Sequence, residues 1–166
     1  KITKSKFTDE ELQKIQEQVR KESRPYDYRT KTYPFEVIVR KLGLEDDDGT
    51  SIYIPQYLKK GFRWTQNKQS NFIESVLLGI PITPFIFLED KNEKWAIIDG
   101  MQKISTLVSF YNNDFELQNL SSLTLLNGAK FKDLPRKLQN SIKNGDFSII
   151  IVGDRNDENI LYHIFT

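Results

Sequence analysis

Apolar residues in the first half of the chain follow short helical and strand periods, separated by polar stretches. Thr8 and Glu11 have the spacing of a capping box, which marks the start of a helix. The acidic residues 45–48 are expected to form a solvated loop. In chain order, the pattern predicts a helix over residues 9–21, a linker over 24–32, a helix over 33–42 and a strand over 51–55.

The second half of the chain combines buried-strand patterns with amphipathic-helix patterns. Thr65 is placed to cap a helix that Gly79 and Pro81 end. Beyond it, the pattern predicts a hairpin of strands over residues 85–88 and 95–98, helices over 100–111 and 133–144, a strand over 147–152 and a last helix from residue 156. Because strands and helices do not alternate regularly, the expected fold class is α+β.

The junction after the second hairpin strand is the most informative point of this pattern. Asp99 and Gly100 follow an apolar strand and open an amphipathic helix. The first N–H groups of a helix lack partners within it, so either the Asp99 carboxylate caps them or a phosphate binds there. A helical wheel leaves Gln102 and Lys103 free to serve a ligand and makes Met101 a packing residue.

Composition and charge narrow the class of protein. The 166 residues are 38% hydrophobic, enough for one core. The absence of cysteine excludes disulfides and thiolate sites, and the single histidine, His163, excludes a zinc site built on two histidines. A net charge of +1 restricts any nucleic-acid contact to a local patch. Pro81 and Pro84 interrupt the longest stretch of low polarity, so we expect a soluble protein, and the absence of cysteine fits a cytoplasmic one.

Two clusters of chemically active side chains are separated in sequence by one predicted helix and the hairpin. They comprise Lys59, Lys60 and Arg63 on one side and Asp99, Gln102 and Lys103 on the other. If the fold brings them together, the cations suit a polyphosphate and the carboxylate can hold the Mg²⁺ that accompanies a nucleotide. The alternative is a solvated basic edge beside an aspartate that only caps its helix.

Neighbouring residues allow two further interpretations. Trp64 and Phe62 have the aromatic character needed for base stacking, although core packing is the simpler use. Residues 89–91, Glu-Asp-Lys, follow a strand as the metal-binding group of a nuclease would, but no companion acid is evident.

Residues 54–107 carry a series of motifs in a specific order. They are Ile54-Pro55, Gly61-Phe62-Arg63-Trp64-Thr65, the FIESVLLGIPI run over residues 72–82, Pro84 with Ile86-Phe87-Leu88, and Ile98-Asp99-Gly100-x-Gln102-x-Ile104-x-Thr106-Leu107. This segment resembles the N-terminal domain shared by GmrSD-type modification-dependent restriction proteins and related phage-defence proteins. That domain carries a DGQQR signature.

The resemblance implies a ParB/sulfiredoxin-like mixed sheet with flanking helices. Residues 1–166 would form one such domain, with a helical extension over residues 1–45, as a fragment of a longer bacterial protein. The resemblance also implies binding of a nucleoside triphosphate with Mg²⁺, and possible hydrolysis of it, which regulates attack on DNA that carries modified bases. A C-terminal module outside this chain, often a nuclease, would make the cut.

Residue by residue, the resemblance assigns catalysis to Asp99, Gln102 and Lys103, the metal to Asp99, and nucleotide binding to Lys59, Lys60, Arg63, Gly100 and Thr106. Two departures bear on this assignment. Lys59-Lys60 stands where the family has Gln-Arg, and Asp-Gly-Gln-Gln-Arg is here Asp-Gly-Met-Gln-Lys over residues 99–103. Lysine keeps the charge of arginine but not its planar fork, so we expect hydrolysis to suffer more than binding.

Two alternatives of another class remain open. The domain would then be a catalytically degenerate module that binds DNA or a protein partner, or a purely structural domain. The DNA-binding alternative predicts affinity that falls steeply with salt.

Overall fold

The computed structural model describes residues 5–23, 28–42, 52–54, 63–90 and 92–153. The helices in this part are α1 (Asp9–Ser23), α2 (Phe35–Lys41), α3 (Gln66–Leu77), α4 (Met101–Tyr111) and α5 (Arg136–Lys143). The strands are β1 (Tyr28–Pro34), β2 (Ile52–Tyr53), β3 (Phe85–Glu89), β4 (Trp95–Asp99) and β5 (Asp146–Gly153). Within these ranges, none of the helices combines the length and apolar composition needed to cross a bilayer.

The strands form one mixed sheet in the order β1-β5-β3-β4-β2. β3 and β4 pair antiparallel as the predicted hairpin, and β1 pairs antiparallel with β5. β5 pairs parallel with β3, and β2 pairs parallel with β4. The predicted α+β class, a mixed sheet with flanking helices, is therefore confirmed.

One face of this sheet carries the hydrophobic core. Phe85 and Phe87 on β3, with Ile149 and Ile151 on β5, are at most 1% exposed and belong to the same cluster as apolar residues of α2, α3, α4 and α5. Side chains alternate between the two faces of a strand, so residues between them, such as Ile86, point to the other face. α2, α3, α4 and α5 therefore pack together on one side of the sheet.

The predicted linker over residues 24–32 is wrong for its second part. Residues 28–32 belong to β1, at the edge of the sheet. Arg29 and Lys31 are exposed and charged, as is common in edge strands, where charge discourages pairing with another chain. The lack of an apolar face made this strand resemble a linker.

Two predicted helices begin later than the pattern indicated. α2 starts at Phe35 rather than residue 33, and α5 starts at Arg136 rather than residue 133. Each follows a proline at the N-cap, Pro34 or Pro135, and the residue before a proline is sterically disfavoured from helical geometry. The predicted acidic loop and the helix from residue 156 lie outside the described residues.

Buried polar residues on α3 hold the loop that follows α4. The Ser70 hydroxyl accepts a hydrogen bond from the Gln118 N–H at 3.1 Å. Glu74, only 5% exposed, accepts three hydrogen bonds from that loop. Their donors are the Ser121 hydroxyl at 2.9 Å, the Ser122 N–H at 3.0 Å and the Leu123 N–H at 2.9 Å. These bonds fix α3, which forms one wall of the site described below.

The predicted N-caps of α1 and α3 are confirmed. Thr8 and Glu11 exchange the two bonds of a capping box, at 3.0 and 3.2 Å. Thr65 accepts a hydrogen bond from the Lys68 N–H at 3.3 Å.

Replacing Thr65 by alanine is expected to lower the free energy of unfolding by about 1 kcal/mol, because one N–H at the start of α3 loses its partner. Urea unfolding measures the change. Thr65→Ser keeps the hydroxyl and is expected to stay within a few tenths of a kcal/mol of the parent protein. An equal loss in both variants would contradict the capping role.

Candidate functional site

The turn between β4 and α4 depends on Gly100. β4 continues through Asp99, and Gly100 then reverses the chain with φ of +103° and serves as the N-cap of α4. Gly100 has no side chain, so the N-cap residue itself offers no side-chain hydrogen bond to the first turn of α4. Of the two alternatives for this junction, Asp99 as the N-cap of α4 is not what the structure has, because Asp99 is still in the strand, one residue before the N-cap. Its side chain is exposed.

The segment before α3 lies against the start of α4. The Trp64 N–H donates to Gln102 Oε1 at 3.0 Å. Gln102 is in turn supported from within its helix, since the Thr106 hydroxyl donates to the Gln102 carbonyl oxygen at 2.7 Å. Two segments 38 residues apart in sequence are thus joined at the first turn of α4.

A cleft of about 600 Å³ opens where these segments meet. α4 contributes one wall, α3 contributes Gln69, and the residues before α3 contribute Arg63 and Trp64. Among the described residues, the cleft is lined by Ile54, Arg63, Trp64, Gln69, Met101, Gln102, Ser105 and Ser109. Arg63 is the only charged residue among these, and it is exposed.

Trp64 gives the cleft its aromatic surface. It is half-buried, meets Phe72 edge-on with ring centroids 5.7 Å apart, and has the Lys68 ammonium 5.0 Å above its ring. The Trp64 side chain therefore both packs against Phe72 and lines the cleft. Phe62, the second aromatic residue considered for stacking, lies outside the described residues.

The structure brings together some of the residues predicted to form the site. Arg63 and Gln102 line the cleft, whereas Lys103 donates to the Thr83 hydroxyl and Thr106 is fully buried beneath Gln102. Gly100 forms the turn at the start of α4. Lys59 and Lys60 lie outside the described residues, so their predicted approach to the Asp99 turn stays a prediction.

Three residues that line the cleft were not predicted from the sequence: Gln69, Ser105 and Ser109. Each is a polar residue on an amphipathic helix, where the ordinary expectation is a solvated face. The spacing of Met101, Ser105 and Ser109, four residues apart, does place them on one side of α4. The sequence alone did not indicate that another segment would cover that side.

A resident metal site is not supported by the described residues. No group of three or more histidine, cysteine, aspartate or glutamate side chains comes together among them. Mg²⁺ that accompanies a nucleotide needs fewer protein ligands, because it is held by one or two carboxylates together with phosphate oxygens and water. Asp99 offers one exposed carboxylate, at the end of β4.

The acids of the β3–β4 hairpin have structural partners. The Trp95 indole N–H, 3.0 Å from Glu89 Oε2, is the main cause of a lowered Glu89 pKa, and Arg29 adds to it. Burial raises the pKa of Asp90, but hydrogen bonds from the Lys94 and Asn92 N–H groups outweigh it, so that the net shift is downward. Both carboxylates brace the hairpin, which leaves the nuclease interpretation without support in the described residues.

Comparison with known proteins identifies the family. A family model described as GmrSD restriction endonuclease, N-terminal domain, matches residues 39–166, about three quarters of the chain. The chain therefore belongs to the family of GmrSD N-terminal domains, a module of restriction endonucleases. This confirms the resemblance found in residues 54–107. No curated protein and no solved structure gives a match.

Proposed function

We propose that this domain binds a nucleoside triphosphate with Mg²⁺ and regulates a DNA-cutting module in bacterial defence against phage. The site is the cleft between α3, α4 and residues 63–65. Its DNA target carries modified bases, and the protein acts in the cytoplasm. Membership of a restriction endonuclease family supports the part of this proposal that concerns restriction and defence.

The observation that carries the proposal is the junction of Trp64 and Gln102. Their 3.0 Å hydrogen bond places Arg63 at the rim of the cleft, near the first turn of α4. The N-cap Gly100 supplies no side chain, a helix N-terminus favours negative charge, and a guanidinium group can bind phosphate with two parallel hydrogen bonds. The cleft volume of about 600 Å³ lies within the usual range for small-molecule sites.

Each residue has a specific part in this proposal. Arg63 binds phosphate, Gln102 positions the segment that carries Arg63, and Asp99 holds the magnesium ion. Lys103 would have to exchange the Thr83 hydroxyl for a phosphate oxygen. In this proposal Lys59 and Lys60 balance the negative charge of the phosphates. Gly100 shapes the turn at the start of α4, and Thr106 supports Gln102.

Hydrolysis is proposed to be slow relative to binding. Transition-state stabilisation requires donors aimed at the developing charge, whereas binding in the ground state tolerates looser contacts. Lys103 supplies charge without the fork of an arginine, and Met101 supplies no polar group at all.

Titration calorimetry with each of the four ribonucleoside triphosphates and Mg²⁺ tests the proposal. We expect binding of at least one, and Arg63→Ala is expected to weaken it about ten-fold, because a charge-assisted contact to phosphate is lost. Arg136→Ala, on α5, removes another exposed arginine that does not line the cleft, and it is expected to leave the affinity unchanged.

Absence of heat with all four nucleotides would overturn the proposal. Salt-sensitive DNA binding by the same sample, weakened by Lys60→Ala, would then support the DNA-binding alternative.

A further inference from the structure

One wall of the cleft carries polar groups whose use is unexplained by the contacts of the fold. Ser105 and Ser109 lie one turn apart on the same side of α4, and Gln69 reaches the cleft from α3. Ser109 and Gln69 are half-buried, and Ser105 is exposed.

Ser105 and Ser109 differ in their hydrogen bonding from the other serines and threonines of α3, α4 and α5. A helical serine or threonine commonly bonds a carbonyl of the preceding turn. On α3, α4 and α5, the other serine and threonine side chains all have protein partners: Ser70, Ser75, Thr106 and Ser141. In the part of the chain that the structure describes, the side chains of Ser105, Ser109 and Gln69 make no hydrogen bond, and all three line the cleft.

The cleft has two ends, which lie at different positions along the axis of α4. A helix rises about 1.5 Å per residue, so Ser109 lies about 10 Å beyond Gln102 along the axis. If phosphates occupy the Arg63 and Gly100 end, that distance places the sugar and base of a nucleotide beside the serines. A hydroxyl can donate and accept, as ribose hydroxyls require, and a glutamine amide offers both a donor and an acceptor to a base edge.

We infer that Ser105, Ser109 and Gln69 form the nucleoside subsite, which binds the ribose and the base edge. The inference rests on the proposed function and adds to it the orientation of the ligand and the residues that determine specificity. Phosphate contacts and nucleoside contacts then come from opposite ends of the cleft.

The test compares two ligands with Mg²⁺: the ribonucleoside triphosphate that binds best, and inorganic tripolyphosphate, which lacks the nucleoside. Ser105→Ala combined with Ser109→Ala is expected to weaken nucleotide binding about ten-fold, through the loss of two neutral hydrogen bonds, and to leave tripolyphosphate binding unchanged. Arg63→Ala is expected to weaken both. Ser75→Ala removes a helical hydroxyl outside the cleft and is expected to change neither.

A second variant tests the base contact separately. Gln69→Ala is expected to reduce the difference in affinity between the preferred nucleotide and the other three, because the amide that reads the base edge is gone. Circular dichroism checks that each variant is folded.

The inference is overturned if nucleotide binding is unchanged in the double variant, or if nucleotide and tripolyphosphate weaken equally. In both cases the parent chain still binds nucleotide and the proposed function stands. If the parent chain binds neither ligand, the proposed function fails and the inference fails with it.

Discussion

Replacing Gly100 by alanine is expected to lower the free energy of unfolding by about 2–5 kcal/mol. Two effects add. The φ of +103° is a conformation that residues with a Cβ rarely adopt, and an added Cβ would lie 2.5 Å from Phe85 Cδ1. Phe85 is 1% exposed and stacks on Phe147 with ring centroids 5.7 Å apart, so it has little room to move. Urea unfolding of the parent and the variant measures the loss.

Gly79→Ala separates the two effects. Gly79 also has positive φ, +73°, but an added Cβ would meet nothing within 4 Å. We expect a loss of about 1 kcal/mol there, from backbone strain alone. Phe85→Val has no δ carbon, so in that background the further loss caused by Gly100→Ala should be smaller than in the parent protein, because the atom that the added Cβ meets is gone. Equal losses at the two glycines would show that the contact with Phe85 is unimportant.

Local signals in the sequence predicted most of the described fold. Capping at Thr8 and Thr65, and the apolar strands on either side of the 89–94 turn, depend on residues close together in the chain, so they could be identified without the tertiary structure. β1 was missed because its pairing with β5 joins residues more than 100 positions apart. Nothing in its own polar sequence indicates which strand it will meet.

The same dependence on contacts between distant parts of the chain explains which site residues could be predicted and which could not. The Asp99–Gly100 junction and Arg63 stood out because charged residues flank a strand end, and Arg63 does reach the cleft beside Gln102. Ser105 and Ser109 can be recognised as site residues only from the tertiary structure, in which residues 63–65 lie across the cleft from their side of α4. Glu74 was not recognised either, since its donors follow it by 47 to 49 residues and an isolated glutamate on a helix is usually solvated.

Glu74→Ala is expected to cost about 3–5 kcal/mol of unfolding free energy. The alanine removes one acceptor group and leaves the N–H groups of Ser122 and Leu123 without their partner, at a position where the carboxylate is 5% exposed. The loop would lose three of its hydrogen bonds to α3. Glu116→Ala, an exposed glutamate in the same loop, is the matched control and is expected to change the stability by less than about 0.5 kcal/mol.

The pH dependence of Glu74→Gln tests the charge of this contact. Hydrogen bonds, chiefly from the Leu123 N–H, outweigh burial and hold the pKa of Glu74 below its ordinary value of 4.5. A carboxylate with a lowered pKa in the folded state stabilises fully above that ordinary value, and its contribution is lost as the pH falls through the lowered pKa. The parent protein should therefore exceed Glu74→Gln in stability at about pH 7, and the gap should narrow on acidification to about pH 3. A gap that stays constant over this range would mean that the carboxylate contributes through its shape, which glutamine shares, and not through its charge.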